Sequence, residues 1–182
     1  ALDAKQGAPV KVDIIDWPNQ HEFATGKITE VLSDDNDREL IIETTLLNYD
    51  IPSDFSEAAL QQANSYQEPT EKDLKGRKDL RDLPLITIDG EDARDFDDAV
   101  FAEKRSGGNY RVLVAIADVS YYVTPNSPLD KDAYERGTSV YFPHRVIPML
   151  PEVLSNGLCS LNPNLDRLCM VADIKISRAG KV

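Results

Sequence analysis

The chain has 182 residues, of which 41% are hydrophobic, and it carries a formal net charge of −12 at pH 7. This length and composition are typical of a globular protein with one ordinary domain and part of another. No apolar run is long enough to cross a bilayer, so we expect no membrane partner, and the negative charge at first sight disfavours nucleic-acid binding.

The first fifty residues predict a small β-rich unit. Three runs, Val10–Ile15, Thr25–Leu32 and Glu39–Thr44, combine alternation with β-branched residues, as strands do. A turn after Trp17 and the polar loop 33–37 separate them. Three short strands with no helix between them indicate part of a small antiparallel barrel that would be incomplete at its N-terminus.

The next segment, residues 51–82, predicts a helix followed by a charged linker. Ser53 is a good N-cap, Glu57 follows one turn later, and the run Ala58–Ala63 favours a helix. Residues 66–82 are charged and polar, which is typical of a solvated linker that can contain a single helical turn.

From residue 83 the apolar runs become denser and predict a mixed α+β domain. The predicted strands are Leu85–Ile88, Ala99–Lys104, Tyr110–Ala117, Thr138–Phe142 and Arg167–Ile176, with a helix at Leu129–Arg136 that Gly137 ends and a turn at Asn156-Gly157. A Gly-Gly pair at 107 and 108 predicts a hairpin. Because the run 110–117 is nearly all apolar, we expect it to be a central strand covered on both faces.

A ten-residue acidic stretch, Asp89–Asp98, lies between the first two of these strands and holds six carboxylates and one base. Carboxylates packed this tightly repel one another, and divalent cations with oxygen ligands are an effective counter-charge. The candidate ligands are Asp89, Asp95, Asp97 and Asp98. Such a set can hold two cations about 3.5–4 Å apart, an arrangement that stabilises in-line attack on a phosphodiester.

Other interpretations of the acidic stretch were weighed. An EF-hand loop that began at Asp89 would need Gly at its sixth position and Glu at its twelfth, but Arg94 and Val100 stand there. The triplet from Asp89 to Glu91 also resembles the first motif of another two-metal exonuclease type, although no matching later acids stand out. A solvated acidic loop without a ligand remains the alternative.

The histidines and cysteines favour no other site. A zinc site or a Ser-His-Asp triad is disfavoured because the two histidines, His21 and His144, lie far apart, and we expect His144 to be a surface residue. Cys159 and Cys169 lack paired ligand spacing and lie in apolar surroundings. Reduced, buried thiols and the absence of a basic-then-apolar leader predict a cytoplasmic protein.

Several segments together resemble the ribonuclease II/ribonuclease R (RNB) superfamily, and its ribonuclease R branch more closely than the ribonuclease II branch. The family-like segments are Thr87–Ala99, Val114–Val123, Gly137–Pro143, Val146–Pro151 and Leu154–Pro163. They extend over most of residues 79–176, and agreement over several segments is far more specific than one motif.

This resemblance implies a 3′→5′ exoribonuclease that hydrolyses single-stranded RNA to nucleoside 5′-monophosphates. It implies Mg²⁺ as the cofactor, with Mn²⁺ as a substitute, and no small-molecule cofactor. The family's four catalytic aspartates fall on Asp89, Asp95, Asp97 and Asp98, and its aromatic clamp on the last nucleotide falls on Tyr141. A neighbouring acid, Asp118, is expected to have a structural role.

The resemblance also implies the domain organisation. Residues 1–50 would be the C-terminal part of a cold-shock/OB-type RNA-binding barrel, 51–82 a linker, and 83–182 the N-terminal part of an RNB-type mixed α/β catalytic domain. We therefore expect the chain to be part of a longer, monomeric protein whose partner is the 3′ end of single-stranded RNA, and to be inactive by itself. The alternative is a non-catalytic RNA-binding or scaffolding relative that retains the fold.

Overall fold

The computed structural model describes residues 4–18, 22–32 and 37–182, without the side chain of Asp37. His21 and nearly all of the predicted polar loop lie outside these ranges. The chain divides into two compact units, Ala1–Ser53 and Asp54–Val182. Within the described ranges no helix is both long and apolar enough to span a membrane.

In the first unit an antiparallel hairpin precedes a helix. Strand β1 (Val10–Asp16) pairs with β2 (Thr25–Val31), and the register shifts at two places along the pair. Both strands agree with the prediction from sequence. Helix α1 (Asp37–Asn48) follows them.

The predicted third strand, Glu39–Thr44, is wrong because these residues belong to α1. Ile42 and Leu46 lie one turn apart and are both buried, so the apolar run has helical spacing rather than alternation. The hydroxyls of Thr44 and Thr45 each donate to the carbonyl four residues earlier at 2.7 Å, which lets these β-branched residues join a helix.

The second unit contains a three-stranded sheet, several short helices and a small two-stranded ribbon. In chain order its elements are α2 (Glu57–Ser65), α3 (Glu71–Leu74), β3 (Asp98–Lys104), a 3₁₀ turn (Ser106–Gly108), β4 (Tyr110–Ala117), α4 (Val119–Tyr122), α5 (Pro128–Arg136), β5 (Val140–Tyr141), β6 (Val146–Ile147), a π-helix (Val153–Leu158) and β7 (Cys169–Ile176).

The main sheet is antiparallel with the order β3-β4-β7. The glycine hairpin between β3 and β4 and the central place of β4 are confirmed. The prediction that both faces of β4 are covered is wrong. Leu113 and Ala115 on one face are buried, whereas Ile116 on the other face is 46% exposed beside Met170 of β7.

Two predicted element boundaries need correction. Helix α2 begins at Glu57 rather than near Ser53, because Ser56 is the N-cap and its Oγ accepts from the Ala59 amide at 3.2 Å. The predicted strand 85–88 is reduced to one bridge between Ile86 and Val100. A single bridge leaves the segment that enters the acidic stretch without the regular pairing of a sheet.

Two further elements are shorter or different from their prediction. The strand predicted over 138–142 is limited to β5, which pairs with β6. The predicted turn at Asn156-Gly157 lies inside the π-helix. A π-helix is rare, and its wider hydrogen-bond spacing is found mostly in single turns at functional sites.

The core of the second unit lies where α2, α4, α5 and the π-helix meet. Its fully buried members include Ala59, Tyr122, Leu129 and Leu154. The hydroxyl of Tyr66, just after α2, donates to the Tyr122 carbonyl at 2.7 Å and ties the C-terminal end of α4 to α2. This packing anchors the end of β4, the strand end that adjoins the acidic stretch.

Candidate active site

The acidic loop, defined here as residues 89–98, connects the bridge at Ile86 to β3, and its last residue, Asp98, is the first of that strand. The Ala93 amide donates to the Gly90 carbonyl at 3.0 Å and forms a turn within the loop. The rest of the loop has no helix or strand, so contacts with other segments must set its shape.

Two backbone hydrogen bonds tie the C-terminal half of the loop to the body of the unit. The Ala117 amide, at the end of β4, donates to the Asp97 carbonyl at 3.0 Å. The Leu161 amide donates to the Phe96 carbonyl at 2.8 Å. These bonds place the loop between the end of the central strand and the segment after the π-helix.

The structure brings the predicted carboxylates into one electrostatic cluster. The Asp97 side chain is exposed at the surface, but partial desolvation of its carboxyl raises its pKa, and the negative charges of three acidic neighbours raise that pKa further. These neighbours are Asp95, Asp98 and Asp89, which are the other members of the predicted set. The repulsion between the negative charges of the cluster is therefore seen most clearly in the raised pKa of Asp97.

The carboxylates of the cluster have the chemistry that a hard divalent cation requires, but they are not arranged with the geometry of a metal site. Its donors are all carboxylate oxygens, the ligands that Mg²⁺ and Mn²⁺ prefer, and a cation would relieve the repulsion that raises the pKa of Asp97. In the described ranges, however, no group of three or more His, Cys, Asp or Glu side chains is arranged to hold a metal ion. The residues fit the ion in type and charge.

Tyr141 reaches the same loop from β5. Its hydroxyl donates to Asp95 Oδ2 at 2.6 Å, while its ring remains 64% exposed. This hydrogen bond raises the pKa of Tyr141, so the phenol stays protonated and able to donate. The next residue, Phe142, lies just beyond β5 and is half-buried.

Two features that the sequence did not suggest adjoin the loop. One is an open pocket of about 490 Å³, lined by Ala93, Arg94, Phe96, Glu152, Val153, Asn156, Gly157 and Asn162. The other is the buried hydroxyl of Ser160, which contacts the loop backbone. No local sequence pattern connects positions more than sixty residues apart, so neither the pocket nor the Ser160 contact could be predicted from the residues themselves. The one signal in the sequence was that residues 154–163 belong to a family-like segment.

Asp118 has the structural role that was expected. It is buried, and it accepts from Arg77 Nη2 and from the Ser120 hydroxyl, each at 2.7 Å. Burial alone would raise the pKa of Asp118, but these hydrogen bonds outweigh burial and lower it. Both carboxylate oxygens therefore have protein partners.

Among the described residues, His144 and the two cysteines contribute no second site. His144 is exposed, as predicted. Both cysteines are free thiols; Cys159 is buried and Cys169 is half-buried. Burial, and to a smaller extent the negative charge of Asp97, raises the pKa of Cys159 to about 12. This thiol therefore stays protonated at neutral pH.

Two family models match the chain. The RNB domain matches residues 77–182, which is more than half of the chain, and the cold shock domain matches residues 1–56. The predicted α+β class, with a cold-shock/OB-type unit followed by part of an RNB-type domain, is confirmed by these matches.

Curated relatives agree with the family models. Ribonuclease R of Escherichia coli K12 is 54% identical over 182 residues, which is all of this chain and 22% of that protein. Ribonuclease R of Vibrio cholerae is 51% identical over 180 residues, or 98% of this chain and 22% of that protein. The chain thus spans about a fifth of the length of these relatives.

Solved structures give the same result for the fold. Mycoplasma genitalium RNase R in complex with double-stranded RNA is 32% identical, with a TM-score of 0.89 over 98% of this chain and 32% of that chain. The yeast pseudonuclease Ssd1 is 20% identical with a TM-score of 0.68 over 92% of this chain and 22% of that chain, which shows the fold alone. The chain therefore belongs to the RNB family of ribonucleases, as a relative of ribonuclease R.

Proposed function

We propose that this chain is part of a 3′→5′ exoribonuclease that hydrolyses single-stranded RNA to nucleoside 5′-monophosphates. The observation that supports this most is the gathering of three further aspartates around Asp97 in one loop, in an RNB-family chain. Solved structures of the Mycoplasma genitalium relative with RNA make RNA the partner we infer here. We further propose a cytoplasmic, monomeric enzyme.

In this proposal Asp89, Asp95, Asp97 and Asp98 hold Mg²⁺, or Mn²⁺ in its place. When bound, two such ions supply charge stabilisation for the attacking and leaving oxygens of a phosphodiester. The chain's own contribution is to keep the carboxylates together in the anchored loop, which reduces the reorganisation needed for them to hold an ion.

Tyr141 would hold the last base of the RNA. Its exposed ring offers a stacking face, and stacking on an aromatic ring contributes about 1–3 kcal/mol with little dependence on which base is bound. Because the same side chain donates to Asp95, it would connect the position of the terminal nucleotide to the position of a metal ligand.

The proposed function is tested by Asp97→Asn in the full-length protein. We expect release of 5′-mononucleotides from single-stranded RNA to fall by at least about 100-fold, because even groups that only support metal ligands change activity by 10–100-fold. The matched control is Asp92→Asn, which alters an exposed carboxylate of the same loop outside the proposed set. Equal activity of Asp97→Asn and the control would refute the assigned role.

A second candidate is a non-catalytic RNA-binding relative that keeps the fold. The observation that favours it is that the carboxylates in the described ranges are not arranged to hold a metal ion. The complete set of four aspartates argues against it. RNA binding by the wild-type full-length protein, with no mononucleotide release in either Mg²⁺ or Mn²⁺, would establish this alternative.

A further inference from the structure

Ser160 has an unusual environment for a serine outside the proposed set of ligands. It is completely buried, and its hydroxyl makes two hydrogen bonds to the backbone of the acidic loop. It donates to the Arg94 carbonyl at 2.8 Å and accepts from the Phe96 amide at 3.0 Å. The two bonded residues flank Asp95, so one hydroxyl spans the backbone of a proposed metal ligand.

Ser160 is itself held in place from its other side. Its amide donates to the Gly157 carbonyl at 3.0 Å, directly after the π-helix. Arg167, whose side chain is only 4% exposed, donates through Nε to the carbonyls of both Gly157 and Ser160 at 3.0 Å. The hydroxyl is therefore presented to the loop from a fixed support rather than from a mobile segment.

We propose that Ser160 is a positioning residue for the metal-dependent reaction, a role that rests on the proposed function above. Its hydroxyl fixes the backbone on both sides of Asp95 and thereby sets the direction of that carboxylate and of Asp97 two residues later. The loop has no helix or strand before Asp98, and the other anchors of its backbone near these ligands are bonds from the Leu161 and Ala117 amides. The Tyr141 hydroxyl holds the Asp95 carboxylate and not the backbone. Among the described residues, Ser160 is thus the side-chain anchor of this backbone that a point substitution can remove.

The test is Ser160→Ala in the full-length protein, with Mn²⁺ binding measured by calorimetry in the absence of RNA. We expect the Mn²⁺ dissociation constant to rise about 10-fold, as for loss of a group that orients a ligand. The Mg²⁺ concentration for half-maximal activity should rise in parallel, while RNA affinity measured without divalent ions changes less than about 2-fold. Hydrogen exchange of the Phe96 amide should become faster because its acceptor is gone.

The matched control is Ser155→Ala. Ser155 lies in the π-helix and its hydroxyl is buried, but among the described residues it has no hydrogen-bond partner, so its removal should leave metal binding unchanged. If Ser160→Ala does not fold, Ser160→Cys fills the same position with a slightly larger and only weakly hydrogen-bonding thiol, and it should show the same loss of Mn²⁺ affinity.

Lower thermal stability of the Ser160 variants with unchanged Mn²⁺ affinity would overturn the positioning role and leave only a structural one. Failure of the proposed function looks different, because the wild-type protein itself would then bind no Mn²⁺ or release no mononucleotides. If the wild type is active and Ser160→Ala matches Ser155→Ala in metal affinity, only the inference about Ser160 fails.

Discussion

At the scale of single residues, Tyr141 has an observed hydrogen bond and a proposed stacking face that substitution can separate. The hydroxyl donates to Asp95, and the exposed ring is the face on which we propose that a base stacks. Tyr141→Phe removes only the hydroxyl, and Tyr141→Ala removes both. We expect the Phe variant to keep KM for single-stranded RNA within about 2-fold and to lose about 10- to 150-fold in kcat, since a hydrogen bond to a charged group contributes about 1.5–3 kcal/mol.

The Ala variant should raise KM by roughly 5- to 150-fold, which corresponds to the loss of 1–3 kcal/mol of stacking. Steady-state kinetics on one RNA of fixed length would measure both effects. Tyr134→Phe is the control, because that tyrosine is 88% exposed on α5. An increase in KM for Tyr141→Phe as large as that for Tyr141→Ala would show that the hydroxyl, and not the ring, binds RNA.

The residues of the candidate site differ in how far the sequence could reveal them. The four aspartates lie within ten positions, so charge density pointed to the stretch that holds them, and the family resemblance assigned the catalytic role to these four of its six acids. The bond between Tyr141 and Asp95 joins residues 46 positions apart, and the bond between Ser160 and the Phe96 amide joins residues 64 positions apart. Contacts of this kind follow from the packing of β5 and the π-helix against the loop, which no local pattern encodes.

At the scale of elements, the linker is attached to the core by a mostly buried ion pair. Arg77 Nη2 lies 2.7 Å from Asp118 Oδ2, and the two side chains are 32% and 9% exposed. Arg77→Met should destabilise the unit by about 3 kcal/mol, the lower end for breaking a buried pair, because Ser120 still donates to the other oxygen of Asp118. Urea unfolding followed by the near-ultraviolet circular dichroism of the tyrosines would measure it.

The matched control is Arg81→Met in the same linker. Arg81 pairs with Asp79 at 2.6 Å, but both side chains are more than half exposed, so we expect its loss to change the free energy of unfolding far less than the loss of Arg77 does. Equal destabilisation by the two substitutions would contradict the assignment of Arg77 as the buried anchor.

The same pair predicts a dependence on pH. Because the pKa of folded Asp118 is lower than its ordinary value of 3.8, its stabilisation is complete above that value and is lost as pH falls through the folded pKa. In Arg77→Met the guanidinium no longer offsets the effect of burial, which raises the pKa of Asp118. The variant therefore loses less unfolding free energy than the wild type when the pH is lowered. The difference in unfolding free energy between wild type and variant should therefore narrow from pH 7 to pH 3.

Elements were predicted well where the apolar residues fitted only one pattern, either strand alternation or helical spacing. They were predicted poorly where the residues fitted both patterns. The strand 110–117 is nearly all apolar and is preceded by a glycine pair, so its bounds were found without error. The run 40–42 fits a strand and a helix equally, and the burial of Leu46 one turn after Ile42 decides for α1. Ser53 and Ser56 are the same residue type, so the sequence offers both equally as the N-cap of α2. A hydrogen bond from the Ser56 amide to Asp132 in α5 favours Ser56.

At the scale of the whole molecule, the distribution of charge limits what this chain can do by itself. Residues 1–84 hold 18 acids and 9 bases, and residues 85–182 hold 14 acids and 11 bases. Without the acidic loop, which contributes −5, the second part has a charge of +2. Contacts from Lys and Arg to phosphates dominate RNA affinity, so a chain with a net charge of −12 has little general attraction for RNA.

These observations predict that the 182-residue chain alone releases mononucleotides at least about 100-fold more slowly than the full-length protein in the same Mg²⁺. Catalysis of this kind depends on position, and a misplacement of about 1 Å can cost 100-fold. The carboxylates of the described ranges are gathered but not arranged around an ion, and the relatives are about five times longer than the chain.

Far-ultraviolet circular dichroism of the short chain would confirm that it is folded, so that inactivity reports on assembly of the site rather than on loss of structure. Addition of Mn²⁺ tests the cause directly. If incomplete arrangement of the carboxylates limits the short chain, its Mn²⁺ affinity should be weaker than that of the full-length protein, and low salt should not restore activity. Rapid hydrolysis by the short chain would instead mean that the loop, Tyr141 and Ser160 form a sufficient site within these residues.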